Sequence, residues 1–260
     1  MNRPRPVGDR GRCWGAGVAA AFGLAGAAAL TGPAAAQGAA PAPPLPPLVA
    51  AGKIGAGWQV ANLPDQKPPP TRYSAETLGD RLVLRLEAQG SYGNLLHALP
   101  GVVAPARLAW SWRVAEPNAG TALRSKTGDD VAAKVCLSFD APLAQVPFGE
   151  RTLLRIARSR TGQDLPAATL CWVWGGPEAV GSVIDNAYSR RVRYLVLRNA
   201  PEAGERWFDE SRDIAADFQR AFGAEIPTLP PLVAVLVGAD ADNTGGRSVA
   251  HVTALRFAAP

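Results

Sequence analysis

The sequence predicts an all-β fold, an antiparallel β-sandwich of jelly-roll or galactose-binding-like type carrying two short helices. Three observations predict it. Short segments in which apolar and polar residues alternate recur along the chain; clusters of Gly, Pro, Asn and Asp separate most of them; and only two stretches show a helical apolar period.

The elements follow in order. Residues 1–36 carry Arg3, Arg5, Arg10 and Arg12, then an apolar Ala/Gly-rich stretch from Cys13 to Leu30, then Pro33-Ala34-Ala35-Ala36. A basic start, an apolar middle and a small-residue end make a secretory signal, so the mature protein is expected to be periplasmic or secreted. The apolar stretch is short and poor in strongly apolar residues against the roughly 20 that a membrane span needs, and no transmembrane helix is expected in the mature chain. The arginines are not consecutive, and Cys13 opens the apolar stretch rather than closing it, which argues against a twin-arginine signal or a lipid-modified cysteine. Residues 37–47 are Ala and Pro without period, a flexible or polyproline linker. Residues 48–260 form one sandwich domain.

Removing the signal takes four of 27 Lys and Arg and one of 22 Asp and Glu, leaving 23 against 21 and a net charge of +2. A nearly balanced chain without a basic run lacks the electrostatic footprint of a nucleic-acid binder. Cys136 and Cys171 remain, either as a disulfide in an oxidising compartment or as two separate buried thiols.

In Arg81–Glu87 the leucines fall on one face and Arg81, Arg85 and Glu87 on the other, as in a half-buried strand. Residues 93–99, 107–114, 131–139, 169–174, 192–197, 232–237 and 249–257 read similarly. Helices are expected over Phe148–Arg158 and Asp213–Phe222. In the second, Ile214, Phe218, Ala221 and Phe222 share a stripe, with Gly223 placed to close the helix in a left-handed cap.

Most chemistry-bearing residues gather in Gly238–Gly246, G-A-D-A-D-N-T-G-G. An apolar strand followed by Asp240-x-Asp242-x-Thr244 has the form of a haloacid-dehalogenase-like phosphatase motif, but that chemistry needs a parallel sheet and further downstream motifs, and only sixteen residues follow Thr244. Asp240, Asp242, Thr244 and Gly245 match the first half of an EF-hand loop, yet position twelve is His251 rather than the bidentate Glu. Two readings remain. Asp240, Asp242 and Asn243 supply hard oxygens for a looser metal site, with calcium the fitting ion. Alternatively, the same residue types make a turn, with Asp and Asn bonding to their own backbone and Gly245-Gly246 supplying positive φ.

Trp110 and Trp112 alternate on one strand, and Trp172 and Trp174 on another, so each pair projects from one face. Leu108, Val114 and Leu170 share those faces, which favours burial over a sugar-stacking platform. Trp58 and Trp207 lie in less regular context and are expected to be more exposed. Asp129 and Asp130 are adjacent and project oppositely; hydrolysis of a glycosidic bond needs two carboxylates facing each other at about 5–9.5 Å, and spacing does not choose a pair among Asp129, Asp130, Glu150, Asp185, Asp240 and Asp242. Arginines 151, 155, 158 and 160 line the first helix, a solvated face or a surface for an acidic ligand. There is no G-x-S-x-G, H-E-x-x-H, Walker loop or C-x-x-C, and His97 and His251 are the only histidines, so a His-rich zinc site is excluded.

Asp129-Asp130 before V-A-A-K-V-C-L-S-F, then L-P-A-A-T-L-C-W-V-W-G, then S-R-D-I-A-A-D-F-Q-R-A-F-G, then D-A-D-N-T form an ordered series. This series resembles the secreted bacterial family of unknown function numbered 3047, from about Trp58 to Phe257. The chain departs from it at Cys171-Trp172 and at Ser211. The resemblance implies an exported β-rich protein with Asp130, Trp174, Arg212, Asp217, Asp240 and Asp242 on motif positions, and it brings no known activity. Asp130, Trp174, Trp207 and Arg212 are the ligand-binding candidates. Three functions follow: a binding module for a polysaccharide or small polar ligand, a carbohydrate-active hydrolase, and a structural envelope protein.

Overall fold

The computed structural model describes residues 43–62, 66–162 and 164–259. The predicted signal and the start of the linker lie outside the described residues. The strands and helices are β1 (Val49–Ala50), β2 (Lys53–Ile54), β3 (Gln59–Ala61), β4 (Arg72–Leu78), β5 (Arg81–Gln89), β6 (Asn94–Val102), β7 (Arg107–Glu116), β8 (Ala133–Phe139), α1 (Phe148–Thr161), β9 (Ala168–Trp174), β10 (Val183–Asp185), β11 (Val192–Arg198), β12 (Phe208–Asp213), α2 (Ile214–Phe222), β13 (Leu232–Gly238) and β14 (Arg247–Ala258).

They assemble into a seven-stranded sheet, β10-β11-β9-β8-β13-β6-β3, a five-stranded sheet, β12-β7-β14-β5-β4, and the small pair β1-β2. Pairing is antiparallel except between β11 and β9, which run parallel because the long β9–β10 connection returns the chain through a short antiparallel strand. The period-2 pattern decides which side chains meet. Trp110 and Trp112 of β7 face Trp172 and Trp174 of β9 across the sandwich, with ring centroids 5.5 and 5.6 Å apart. All four indoles are buried. Trp58, expected to be exposed, is buried too, its indole donating to the Pro46 carbonyl at 3.2 Å.

Strands β8 and β9 are buried on both faces. Their inner residues belong to the sandwich core, while Cys136, Cys171 and Val173 lie under Leu123, Val131, Ile184 and Tyr194 on the other side. Cys136 and Cys171 stand opposite each other in the β8–β9 register and form a disulfide, which resolves the alternative left open by spacing.

Helix α2 closes the core. Ile214, Phe218, Ala221 and Phe222 are buried, Phe218 lies 4.7 Å from Phe139, and Asp213 caps the first turn by accepting from the Ala216 N–H at 2.8 Å. Gly223 is right-handed, at φ −57°, rather than the left-handed cap expected; Arg193 instead donates to the Ala221 carbonyl and places its guanidinium 4.4 Å over the Phe222 ring. The left-handed cap occurs on α1, where Gly162 at φ 63° returns its N–H to Arg158.

Candidate functional site

The acidic stretch after β13 is a bend built around buried carboxylates. Asp240 leaves the end of β13 and places one oxygen 2.6 Å from the Val131 N–H and the other 2.6 Å from Nζ of Lys134. Lys134 stands among apolar and small residues in β8 and is buried against the Tyr92 ring, 5.0 Å from its centroid. Burial, the largest single influence, would lower its pKa, but the charge and hydrogen bond of Asp240 together with the charges of Tyr92 and Asp129 outweigh it, so the ammonium is held firmly protonated.

Asp130 is the second pin. Its carboxylate accepts from the backbone N–H of Asn243 (3.1 Å) and Thr244 (2.8 Å), from the Thr244 hydroxyl (2.6 Å), and from the side-chain amides of Asn243 (3.2 Å) and Asn118 (3.4 Å). One carboxylate thus satisfies the bend across 113 residues of sequence. Gly245 adopts φ 66°, and a Cβ on Gly246 would lie 2.4 Å from Asn118 Oδ1, so both glycines are required by geometry.

Two carboxylates of the cluster remain incompletely bonded. Asp129, 3% exposed, accepts from the Asn186 amide through Oδ2, while its Oδ1 is buried without a partner. Asp242 Oδ1 is likewise buried and unpaired. Both carboxyls are raised to about 6, Asp129 by burial and the Asp240 charge, Asp242 by burial and the charges of Asp240 and Asp130. Over them lies Tyr188, in the loop between β10 and β11. Its hydroxyl donates to Asn243 Oδ1 and reaches the Lys126 carbonyl at 3.1 Å; the residue remains 59% exposed, with the Lys126 ammonium 5.3 Å over one face of the ring. Partial desolvation and the charges of Asp129, Asp242 and Asp130 together raise the Tyr188 phenol pKa.

Of the residues singled out by sequence, Asp130, Asp240, Asp242 and Asn243 come together here. Of the calcium candidates Asp240, Asp242 and Asn243, Asp240 has its two oxygens bonded to the Val131 N–H and Lys134, and the Asn243 side-chain carbonyl accepts from Tyr188. Among the described residues no group of three or more His, Cys, Asp or Glu side chains is arranged to hold a metal ion. The Lys134 ammonium supplies the internal cation.

The other candidates have different partners. Trp174 is a core residue whose indole donates to the Asn199 carbonyl at 2.9 Å. Trp207 is half-buried between the Arg81 and Arg113 guanidiniums, 5.2 and 5.6 Å from its ring. Arg212 makes a two-pronged pair with Asp217, both bonds 2.9 Å, and Asp217 also accepts from the Trp172 indole at 2.8 Å. That network pins α2 to β9 and β12. Sequence reasoning missed Lys134, Asn186 and Tyr188. A lysine amid six apolar or small strand neighbours signalled an internal ion pair, whereas nothing local distinguished Tyr188 from any loop tyrosine.

Fold and site together define an antiparallel β-sandwich protein whose loop-end cluster of carboxylates lies beneath one exposed aromatic ring. The chain belongs to the family described as Protein of unknown function (DUF3047), whose model matches residues 56–256. No curated protein matches it. Among solved structures it is similar to the endoglucanase 3 of Trichoderma harzianum from family GH12, at 12% identity and TM-score 0.43, covering 78% of this chain and 92% of that one. It is also similar to the family 11 carbohydrate-binding module of the Clostridium thermocellum cellulase Lic26A-Cel5E, at 6% identity and TM-score 0.36, covering 78% and 88%. A third likeness is to the xyloglucanase domain of NopAA from Sinorhizobium fredii, solved with cellobiose, at 10% identity and TM-score 0.39, covering 76% and 92%. At these identities and scores the likenesses assign neither ligand nor catalytic residue to this chain.

Proposed function

We propose that this chain is an exported β-sandwich protein that binds carbohydrate at the loop end bounded by Asp129, Tyr188 and the Asp240–Thr244 bend. The observation that carries the reading is the Tyr188 ring, exposed yet anchored through its hydroxyl to Asn243 and Lys126. A fixed exposed ring loses little side-chain entropy on stacking against the C–H face of a sugar. Half-buried Asp242 beside it supplies a carboxylate for sugar hydroxyls, while Asn243 holds the ring in place. Loop ends of sandwiches, where rigid strands hold variable connections, suit such recognition.

Calorimetric titration with a panel of envelope and plant polysaccharides and their oligosaccharides tests this. Wild type is expected to bind at least one of them, and Tyr188→Ala to weaken that binding about tenfold or more while leaving the melting temperature unchanged. Absence of binding across the panel, or full binding by the variant, removes the proposal. One observation favours a second reading, hydrolysis: Asp129 and Asp242 are both held near 6, where a carboxyl can donate as well as accept a proton. Release of reducing ends that Asp242→Asn abolishes without loss of binding would select it.

A further inference from the structure

We propose that α1 is a membrane-contacting helix that lies on an anionic lipid surface. The proposal is independent of the carbohydrate site and rests on how α1 distributes its side chains. A helix of a globular protein turns its apolar residues inward. Helix α1 buries Leu154, but Phe148, Leu153 and Ile156 are 77%, 63% and 44% exposed. At about 100° per residue these three occupy an arc of about 140° on the side opposite Leu154. Their outward placement cannot be ascribed to the sandwich core.

The charges around that arc are arranged for an anionic partner. Arg155 borders the arc and Arg160 falls within it, between Ile156 and Leu153; both are exposed and have no acidic partner among the described residues. Arg151 lies 5.6 Å over the Phe148 ring. The nearby acids are turned away or matched: Glu150 faces Arg191 at 3.5 Å, and Asp164 pairs with Arg158 at 2.9 Å. An exposed face in which large apolar side chains share the surface with arginines and small polar residues fits a helix lying in the interface plane, with its apolar side chains among the acyl chains and its guanidiniums reaching the phosphates. Fourteen residues make about 21 Å of helix, enough to lie along a surface and too short to cross a bilayer. A second copy of the chain is the poorer occupant, because a twofold contact through this face would bring the unpaired Arg155 and Arg160 of both copies into one interface without acidic partners to match them.

The experiment is co-sedimentation of the purified full chain with vesicles of phosphatidylglycerol and phosphatidylethanolamine, compared with phosphatidylcholine vesicles, at low and high salt. Binding is expected to the anionic vesicles and to weaken with salt. Leu153→Asp with Ile156→Asp is expected to lower it at least tenfold. Arg155→Gln with Arg160→Gln is expected to lower it about fivefold per charge. All four residues are exposed, so circular dichroism and melting of the variants should match wild type; any leader present is common to all and cancels in the comparison. No binding to anionic vesicles overturns the proposal, as does equal binding to neutral ones or binding that survives the Leu153/Ile156 change. A wild-type dimer in light scattering that this change dissolves also overturns it, in favour of self-association.

Discussion

Substitution of Asp129 by Asn should invert its effect on stability between acid and alkaline pH. Asp129 is 3% exposed and its carboxyl is raised to about 6 against an ordinary 3.8, by burial first and the Asp240 charge second. A group whose folded pKa lies above its unfolded one stabilises the protein fully below the unfolded value and loses that contribution as pH rises through the folded value. The interval from 3.8 to about 6 corresponds to about 3 kcal/mol lost between pH 4 and pH 8, at roughly 1.36 kcal/mol per pH unit. Asparagine cannot ionise and avoids that loss. Its oxygen can still accept from Asn186, but its NH₂ would occupy the place of Oδ1, where no partner stands, at a constant cost of about 1–3 kcal/mol. The variant should therefore be less stable than wild type at pH 4, and equal or more stable at pH 8. The difference between the two proteins should swing by about 3 kcal/mol, or roughly 6–12 °C in melting temperature for a domain of this size. His251, whose pKa is pushed down by burial and by Arg113, titrates in both proteins and drops out of the difference. Thermal melts followed by circular dichroism at pH 4, 5, 6, 7 and 8 decide it. Parallel stability curves would refute the reasoning, because they would mean that Asp129 does not carry the burden of burial assigned to it.

Three further outcomes are expected. Replacing Cys136 and Cys171 together by Ala removes a cross-link spanning 35 residues and should lower stability by about 3–4 kcal/mol on chain-entropy grounds, read from urea midpoints; an unchanged midpoint contradicts it. Asp217→Ala leaves Arg212 and the Trp172 indole without their acceptor and should cost about 3–5 kcal/mol, with Asp217→Asn costing less because its oxygen still serves Trp172; equal costs would show that the hydrogen bonds are not what matters. Lys134→Met strands the buried Asp240 carboxylate and should cost about 3–5 kcal/mol at pH 7, while adding Asp240→Asn should restore much of it; additive losses in the double variant would deny the pairing.

The sequence by itself determined the layers. Alternation in Arg81–Glu87, and the paired tryptophans of β7 and β9, specify which face of each strand is apolar, and a face that must leave water can do so only against another such face. The same local logic found α2, whose apolar stripe is visible within ten residues. It missed β1, β2, β3 and β10, which carry too few residues for a period to show, and β4 and β12, whose mostly polar residues leave no apolar alternation to read.

Only the tertiary structure decided what the polar residues do. Asp240 reads as a metal ligand or a turn residue until Lys134, 106 residues earlier in the chain, is placed against it. Asp130 reads as half of a carboxylate pair until the Asn243–Thr244 backbone closes on it. Trp58 was buried by Pro46, Gly223 was relieved of a left-handed cap by Arg193, and Tyr188 became a site residue because Asn243 holds its hydroxyl. The physical reason is range. Apolar burial is non-directional and is written in local periodicity, whereas a carboxylate, amide or phenol takes its role from the donor or charge within about 3–4 Å, and strand pairing brings that partner from anywhere in the chain.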